Sequence, residues 1–300
     1  MKRTRLITVL TAALLGLGGL AAAQRAKMIQ VKGSDTMVNL VQILAEEYMG
    51  KNPGEAIAVL GGGSGTGITG LINQTCDVAN SSREWKPKEI DQAWDKGVSP
   101  KFFVVAVDGL SIVVNEKNPI GELTVAQVAA LYRGEIKNWK TLGPYEKPVS
   151  LYGRQSNSGT YVFMQEFVLG NKNYSADMKE MNGNAQIIEG LLQDEGAVGY
   201  VGVGYLFDQH HQIRKGLKLV RISQEPKGAG YLPTDRAAVE SGAYPISRPL
   251  YMATNGKPKA DVAQFLTWIL GPEGQAVVER EGFFTVGEGK YKAANDKNFK

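Results

Sequence analysis

An α/β fold is predicted by two observations, and a third indicates where its function lies. Short β-branched runs alternate with segments of helical period along most of the chain, the pattern of strands connected by helices. No internal repeat or low-complexity stretch interrupts it after the first residues. Several of the strands also end in turns rich in glycine and hydroxyl side chains. In open α/β sheets ligands gather outside the carboxyl ends of strands, so such turns converge on one place.

Taken in order, residues 28–31 read as a strand that runs into Gly33-Ser34-Asp35-Thr36, followed by a helical pattern over 37–49. Residues 56–60 form the next strand, and Gly61-Gly62-Gly63-Ser64-Gly65-Thr66-Gly67 follows directly, with a helix expected from about Thr66. Residues 77–79 enter Asn80-Ser81-Ser82-Arg83. Two apolar runs, 102–107 and 110–114, are joined by Asp108-Gly109. Residues 124–132 are helical, with Thr124 or an adjacent residue expected as the cap. A strand over 149–152 leads through Gly153-Arg154-Gln155-Ser156-Asn157-Ser158-Gly159-Thr160 into a helix over 161–169. Residues 197–203 read as a late strand and 262–270 as an apolar helix closed by Gly271-Pro272. The polar tail, 290–300, is expected to fray.

The first residues have the order of a secretory leader. Lys2, Arg3 and Arg5 precede an uncharged apolar run over 6–20, and Ala21-Ala22-Ala23 offers a cleavage site. Residues 1–23 are therefore expected to be a signal peptide. No cysteine follows that site to carry a lipid. The sole cysteine, Cys76, cannot form an internal disulfide and is expected to be a buried small hydrophobe. The net charge of +4 includes the three basic residues of the leader. The near-neutral remainder argues against nucleic acid or a membrane surface as partner.

The glycine-rich turn around Ser64 suits an anion, because glycine lets backbone N–H groups approach and Ser64 and Thr66 add hydroxyls. A phosphate loop of the Walker type is excluded by the absence of lysine there. The match of Gly65-Thr66-Gly67-Ile68-Thr69-Gly70 to a dinucleotide fingerprint lacks the acidic residue that should follow. A serine-hydrolase elbow fails because Thr66 stands where glycine is needed. In the later turn, Arg154 can present two donors to one anion, with Ser158, Gly159 and Thr160 beside it. His210 and His211 read as a solvated loop, and no spacing of His, Cys, Asp or Glu suggests a catalytic pair, a metal site or a cofactor. An exported binding protein, and no enzyme, is the expected class.

Together these segments resemble the phosphate-binding proteins of bacterial phosphate ABC transporters, the PstS-type family. The resemblance extends through Gly134-Glu135-Ile136-Lys137-Asn138-Trp139, Gly196-Ala197-Val198-Gly199-Tyr200-Val201-Gly202 and Tyr244-Pro245-Ile246-Ser247-Arg248-Pro249-Leu250. It implies a two-lobed periplasmic-binding fold of type II, with two chain crossovers and the ligand in the interlobe cleft. Lobe one would combine 24–107 with 250–300, and lobe two would hold 108–249. Carried over position by position, the phosphate shell is Ser34, Asp35, Thr36, Ser64, Ser82, Arg83, Arg154, Ser158, Gly159 and Thr160. The implied protein is a periplasmic monomer without cofactor that delivers inorganic phosphate to the permease and ATPase of an importer. The alternatives are a receptor for sulfate or molybdate, or an adhesion or sensory protein on the same scaffold.

Two positions depart from the family. Many members carry aspartate where Ser82 and Ser156 stand, and the first of these accepts the proton that phosphate keeps and sulfate lacks. Asp35 is then the carboxylate expected to supply that discrimination, the competing role being a helix N-cap.

Overall fold

The computed structural model describes residues 28–286 and 290–300; the expected leader lies outside the described residues. The chain begins with β1 (Ile29–Gly33), α1 (Val38–Lys51), β2 (Ile57–Leu60), α2 (Ser64–Ile72), β3 (Val78–Ser81), α3 (Pro87–Asp95) and β4 (Pro100–Gly109). It continues through β5 (Ser111–Asn115), β6 (Glu122–Thr124), α4 (Val125–Tyr132), β7 (Ser150–Arg154), α5 (Gly159–Phe163), β8 (Lys179–Met181), α6 (Asn184–Gln193) and β9 (Ala197–Val201). The rest comprises β10 (Leu217–Leu219), β11 (Arg221–Ser223), α7 (Arg236–Ser241), β12 (Ser247–Asn255), α8 (Ala260–Leu270), α9 (Pro272–Arg280) and α10 (Lys290–Asn298).

Two five-stranded sheets organise these elements into a two-lobed α/β fold. The first has the order β2-β1-β3-β12-β4, and the second β10-β5-β9-β7-β8. In the first, β1 is parallel to β2 and β3, while β12 returns antiparallel between β3 and β4. All four residues of β3 are buried, as the central position requires. After Gly109 the chain turns at Leu110 into β5 of the second sheet, and it comes back at Ser247. The two apolar runs joined by Asp108-Gly109 therefore belong to different sheets. Ser247 pairs with Gly109 and Arg248 with Asp108, so the two crossing strands lie side by side.

Both faces of the first sheet are covered. On one, α1 buries Leu40, Val41, Leu44 and Tyr48, and Tyr48 meets Phe265 of α8 at 5.1 Å between ring centroids. On the other, Ile68 and Leu71 of α2 pack with Trp85, Val98 and Cys76. Cys76 is thus the buried hydrophobe expected, and burial, the largest influence, pushes its thiol up to about 11. The second lobe is centred on Tyr132, Trp139, Val198 and Tyr200, each fully buried. Thr124 caps α4 as expected: its hydroxyl accepts the Gln127 N–H, and the Gln127 side chain accepts the Thr124 N–H.

The tail corrects an expectation. Residues 290–298 form α10, and the tail packs on β4 instead of fraying. Asn295 both accepts the N–H and donates to the carbonyl of Val104, each at 2.9 Å, and Asn298 donates to the Phe102 carbonyl. Phe299 packs at a tilt against Phe103, with ring centroids 4.7 Å apart. Since β4 is an edge strand, the polar tail satisfies backbone groups that its sheet leaves unpaired.

Candidate functional site

Four strand ends and one crossing strand meet where the lobes face each other. From the first lobe, β1 delivers Ser34, Asp35 and Thr36, α2 opens with Ser64, and β3 ends beside Ser82; Ser34, Thr36, Ser64 and Ser82 are all buried. From the second, β7 ends at Arg154 and α5 begins at Gly159. The helix expected from Thr66 starts earlier, at Ser64, because Gly63 ends the turn at φ +92°. That conformation and its closeness to Asn157 both exclude a side chain there, since a Cβ would lie 2.8 Å from the Asn157 carbonyl oxygen. Gly159 is tighter still: a Cβ would stand 2.2 Å from Ser64 Oγ and 2.7 Å from Ser82 Oγ. Ser64, Ser82 and Gly159 are therefore in one place, as the motifs suggested.

The hydroxyls are connected across the cleft. Thr36 Oγ1 and Thr160 Oγ1 are 2.9 Å apart, joining the lobes directly. Ser64 Oγ accepts the Ser82 N–H at 3.1 Å. Ser158 caps α5 by accepting the N–H of Thr160; its hydroxyl proton is still available to a ligand. The backbone also bridges the lobes, with the Gly65 N–H donating to the Asn157 carbonyl and the Asn157 amide to Gly62.

Arg154 is 0 % exposed. Its N–H donates to the Tyr200 hydroxyl at 2.9 Å, and burial pushes that phenol up to about 12, which keeps it neutral. The guanidinium is fixed by Gln155 and by the carbonyls of Met181 and Asn182. Nη2 also donates to Asp35 Oδ2 at 2.5 Å, an ion pair between lobes. Nη1 is buried and has no partner among the described residues. A buried unpaired donor on a charged group is costly, and an oxyanion is the ligand class that would satisfy it.

The geometry bears on two of the expected site residues. Asp35 is not a helix cap: Met37 occupies the N-cap of α1, without a side-chain bond. Its carboxylate instead accepts the Gly62 N–H on Oδ1 and Arg154 on Oδ2, so both oxygens already hold donors. Arg83 is held by its own neighbours through two nitrogens, while its Nε is buried without a partner among the described residues. Its guanidinium makes two bonds to Glu89, at 2.8 and 2.6 Å, and a third to the Glu84 carbonyl. Burial acts to raise the pKa of Glu89, but the bonds from Arg83 and the Lys86 backbone outweigh it and hold the group below its ordinary value. Arg83 thereby anchors the start of α3, where Glu89 also accepts the Lys86 N–H.

Sequence reasoning passed over a second buried pair. Arg248 donates through Nε and Nη2 to Asp108 Oδ2, at 3.0 and 2.8 Å. Nη2 also reaches Thr160 Oγ1 at 3.0 Å and Thr36 Oγ1 at 3.4 Å. Burial lowers the pKa of the Arg248 guanidinium from its ordinary value, Asp108 opposes this, and Arg154 adds to it by like-charge repulsion. An arginine nonetheless stays charged at any physiological pH. The available signal was a charge set among apolar residues at the end of β4 and at the start of β12. His210 and His211 are exposed, as expected, and among the described residues no cluster of His, Cys, Asp or Glu could hold a metal ion. No helix among the described residues is long and apolar enough to cross a membrane.

Comparison with known proteins gives the same direction. Residues 20–273 match the PBP superfamily domain. The phosphate-binding protein PstS of Pseudomonas aeruginosa is 32% identical over 94% of this chain and 95% of its own. That of Staphylococcus aureus is 29% identical, covering 88% of this chain and 80% of its own. A solved putative phosphate ABC transporter substrate-binding protein from Clostridium perfringens, with bound phosphate, superposes with a TM-score of 0.76 at 25% identity, over 87% of this chain and all of that one. A possible phosphate binding protein from Planctomyces limnophilus gives a TM-score of 0.61 at 31% identity, over 90% of this chain and 95% of that one.

Proposed function

This chain belongs to the PstS-type phosphate-binding proteins of the PBP superfamily, and on that premise we propose that it captures inorganic phosphate between its two lobes and delivers it to an ABC importer. The observation that carries this reading is the buried, unpartnered Nη1 of Arg154 beside a set of hydroxyls contributed by both lobes. A tetrahedral anion has four oxygens that must all be met once it leaves water. Ser34, Thr36, Ser64, Ser82, Ser158 and Thr160 gather neutral hydroxyls from both lobes beside the Arg154 guanidinium. Such a set matches a small multiply charged anion better than an ester with an organic group, and it contains no nucleophile–base pair for turnover.

In this reading lobe one is residues 24–107 with 250–300 and lobe two is 108–249, with Asp108 and Ser247-Arg248-Pro249 on the strands by which the chain crosses. The leader exports the protein to the periplasm, and its membrane partners are the permease and ATPase of the importer. An anion that touches both lobes favours their closure, which is the signal a permease can read.

The test is calorimetry on protein unfolded, stripped of bound anion and refolded, titrated with phosphate and, in parallel, sulfate and arsenate. One-to-one phosphate binding is expected. Absence of binding to correctly refolded protein would remove the receptor reading.

A further inference from the structure

Arg248 has more hydrogen-bonding capacity than its ion pair uses. Its side chain is 1% exposed, and Asp108, at 0%, takes both Nε and Nη2 on one oxygen. The other Asp108 oxygen accepts the Val203 N–H at 2.8 Å. Both Asp108 oxygens already accept hydrogen bonds, neither of them from Nη1, and Arg248 Nη1 is buried without a partner among the described residues. The guanidinium carbon lies over the Phe163 ring, 5.2 Å from its centroid, a cation–π contact that holds the side chain in place.

The two threonines beside it fix the direction of the remaining bonds. Arginine donates and never accepts, so with one Nη2 N–H given to Asp108 the other is shared between Thr160 Oγ1 and Thr36 Oγ1 as acceptors. One threonine proton is consumed in the bond between the hydroxyls. The other has to point elsewhere, and Arg248 blocks its own side. The arrangement thus presents one oriented hydroxyl proton and one guanidinium N–H from the same corner.

We propose that Arg248 is a second anion-contacting residue, donating through Nη1 to the oxyanion opposite Arg154. The inference rests on the phosphate reading above and deepens it. It also bears on selectivity. The nearby carboxylates, Asp35 and Asp108, have both oxygens occupied by donors. Ser82 stands where many relatives place the carboxylate that accepts the phosphate proton. A site with two guanidiniums, whose carboxylates are engaged in hydrogen bonds to the protein, reads negative charge and tetrahedral shape, so sulfate is a competitor.

The experiment compares the wild-type protein with the double variant Asp108→Asn/Arg248→Gln, in which a neutral amide pair replaces the ion pair. Calorimetric Kd values for phosphate and sulfate are measured beside thermal unfolding. Wild-type binding of phosphate, with the variant weakened roughly ten- to a hundredfold for both anions, is expected for a lost charged contact. Phosphate affinity of the variant within about threefold of wild type would show that Arg248 serves only Asp108, and would overturn this inference while leaving the receptor reading intact. Wild-type protein that binds neither anion would overturn both. If the double variant does not fold, Arg248→Lys keeps a cation for Asp108 but not the fork; retained affinity there would equally sink the proposal.

Discussion

Arg248–Asp108 and Arg154–Asp35 are both buried ion pairs at the cleft, yet they are built on opposite plans. Arg248 and Asp108 stand in direct register on adjacent strands of one sheet, with side chains 1% and 0% exposed. Arg154 and Asp35 come from different sheets, and Asp35 keeps 13% exposure. The first pair forms whenever the first sheet forms. The second exists only while the lobes are together. A buried charge is tolerable when its partner is permanent or when it has a route back to water, and the two pairs use one solution each.

Three substitutions separate the two pairs, in order of decreasing effect. Asp108→Asn should have the largest effect, because Arg248 then keeps a buried charge with no route to solvent. A loss of about 3–5 kcal/mol in urea unfolding is expected. A loss below about 1 kcal/mol would mean that water reaches this pair after all. Asp35→Asn should cost no more than about 1–2 kcal/mol, since opening the cleft returns Arg154 to water. Its main consequence is a more open protein without phosphate, seen as a larger radius of gyration by X-ray scattering. Equal losses from the two variants would erase the distinction. Because both Asp35 oxygens already hold donors, the ratio of phosphate to sulfate affinity should not change in this variant. Lys86→Ala removes the Lys86–Glu166 contact between lobes, 3.3 Å long with side chains 48% and 37% exposed. It should leave stability within about 0.5 kcal/mol, as for most exposed pairs; a larger loss would make this surface contact a third latch.

Legibility followed the range of the interaction concerned. The turn before α2 was readable because glycine spacing and backbone conformation are local, and Gly63 does take the positive φ that lets Ser64 begin a helix. The cap of α4 was readable because Thr124 and Gln127 are three residues apart. The Arg83–Glu89 pair was not read although the partners are only six residues apart. The Arg83 side chain can point to either side of the strand end, and the capping of α3 by Glu89 decided which. The tail misled for a related reason: its asparagines look like solvent-facing residues until an edge strand some 190 positions earlier gives them a backbone to bond.

By itself the sequence determined the alternation of strands and helices, the hydroxyl-rich strand ends, the burial of Cys76 and the resemblance that points to phosphate. These depend on periodicity and on residue types at short spacing, which local sterics and hydrogen bonding enforce. Only the tertiary structure decided which charges meet. It set Arg154 against Asp35 across the lobes, sent Arg83 to Glu89, and brought Arg248 to Thr160, 88 residues away. Desolvation is the reason: a guanidinium removed from water must take whatever acceptors the packed sheets bring within reach, and that choice is made by the fold as a whole.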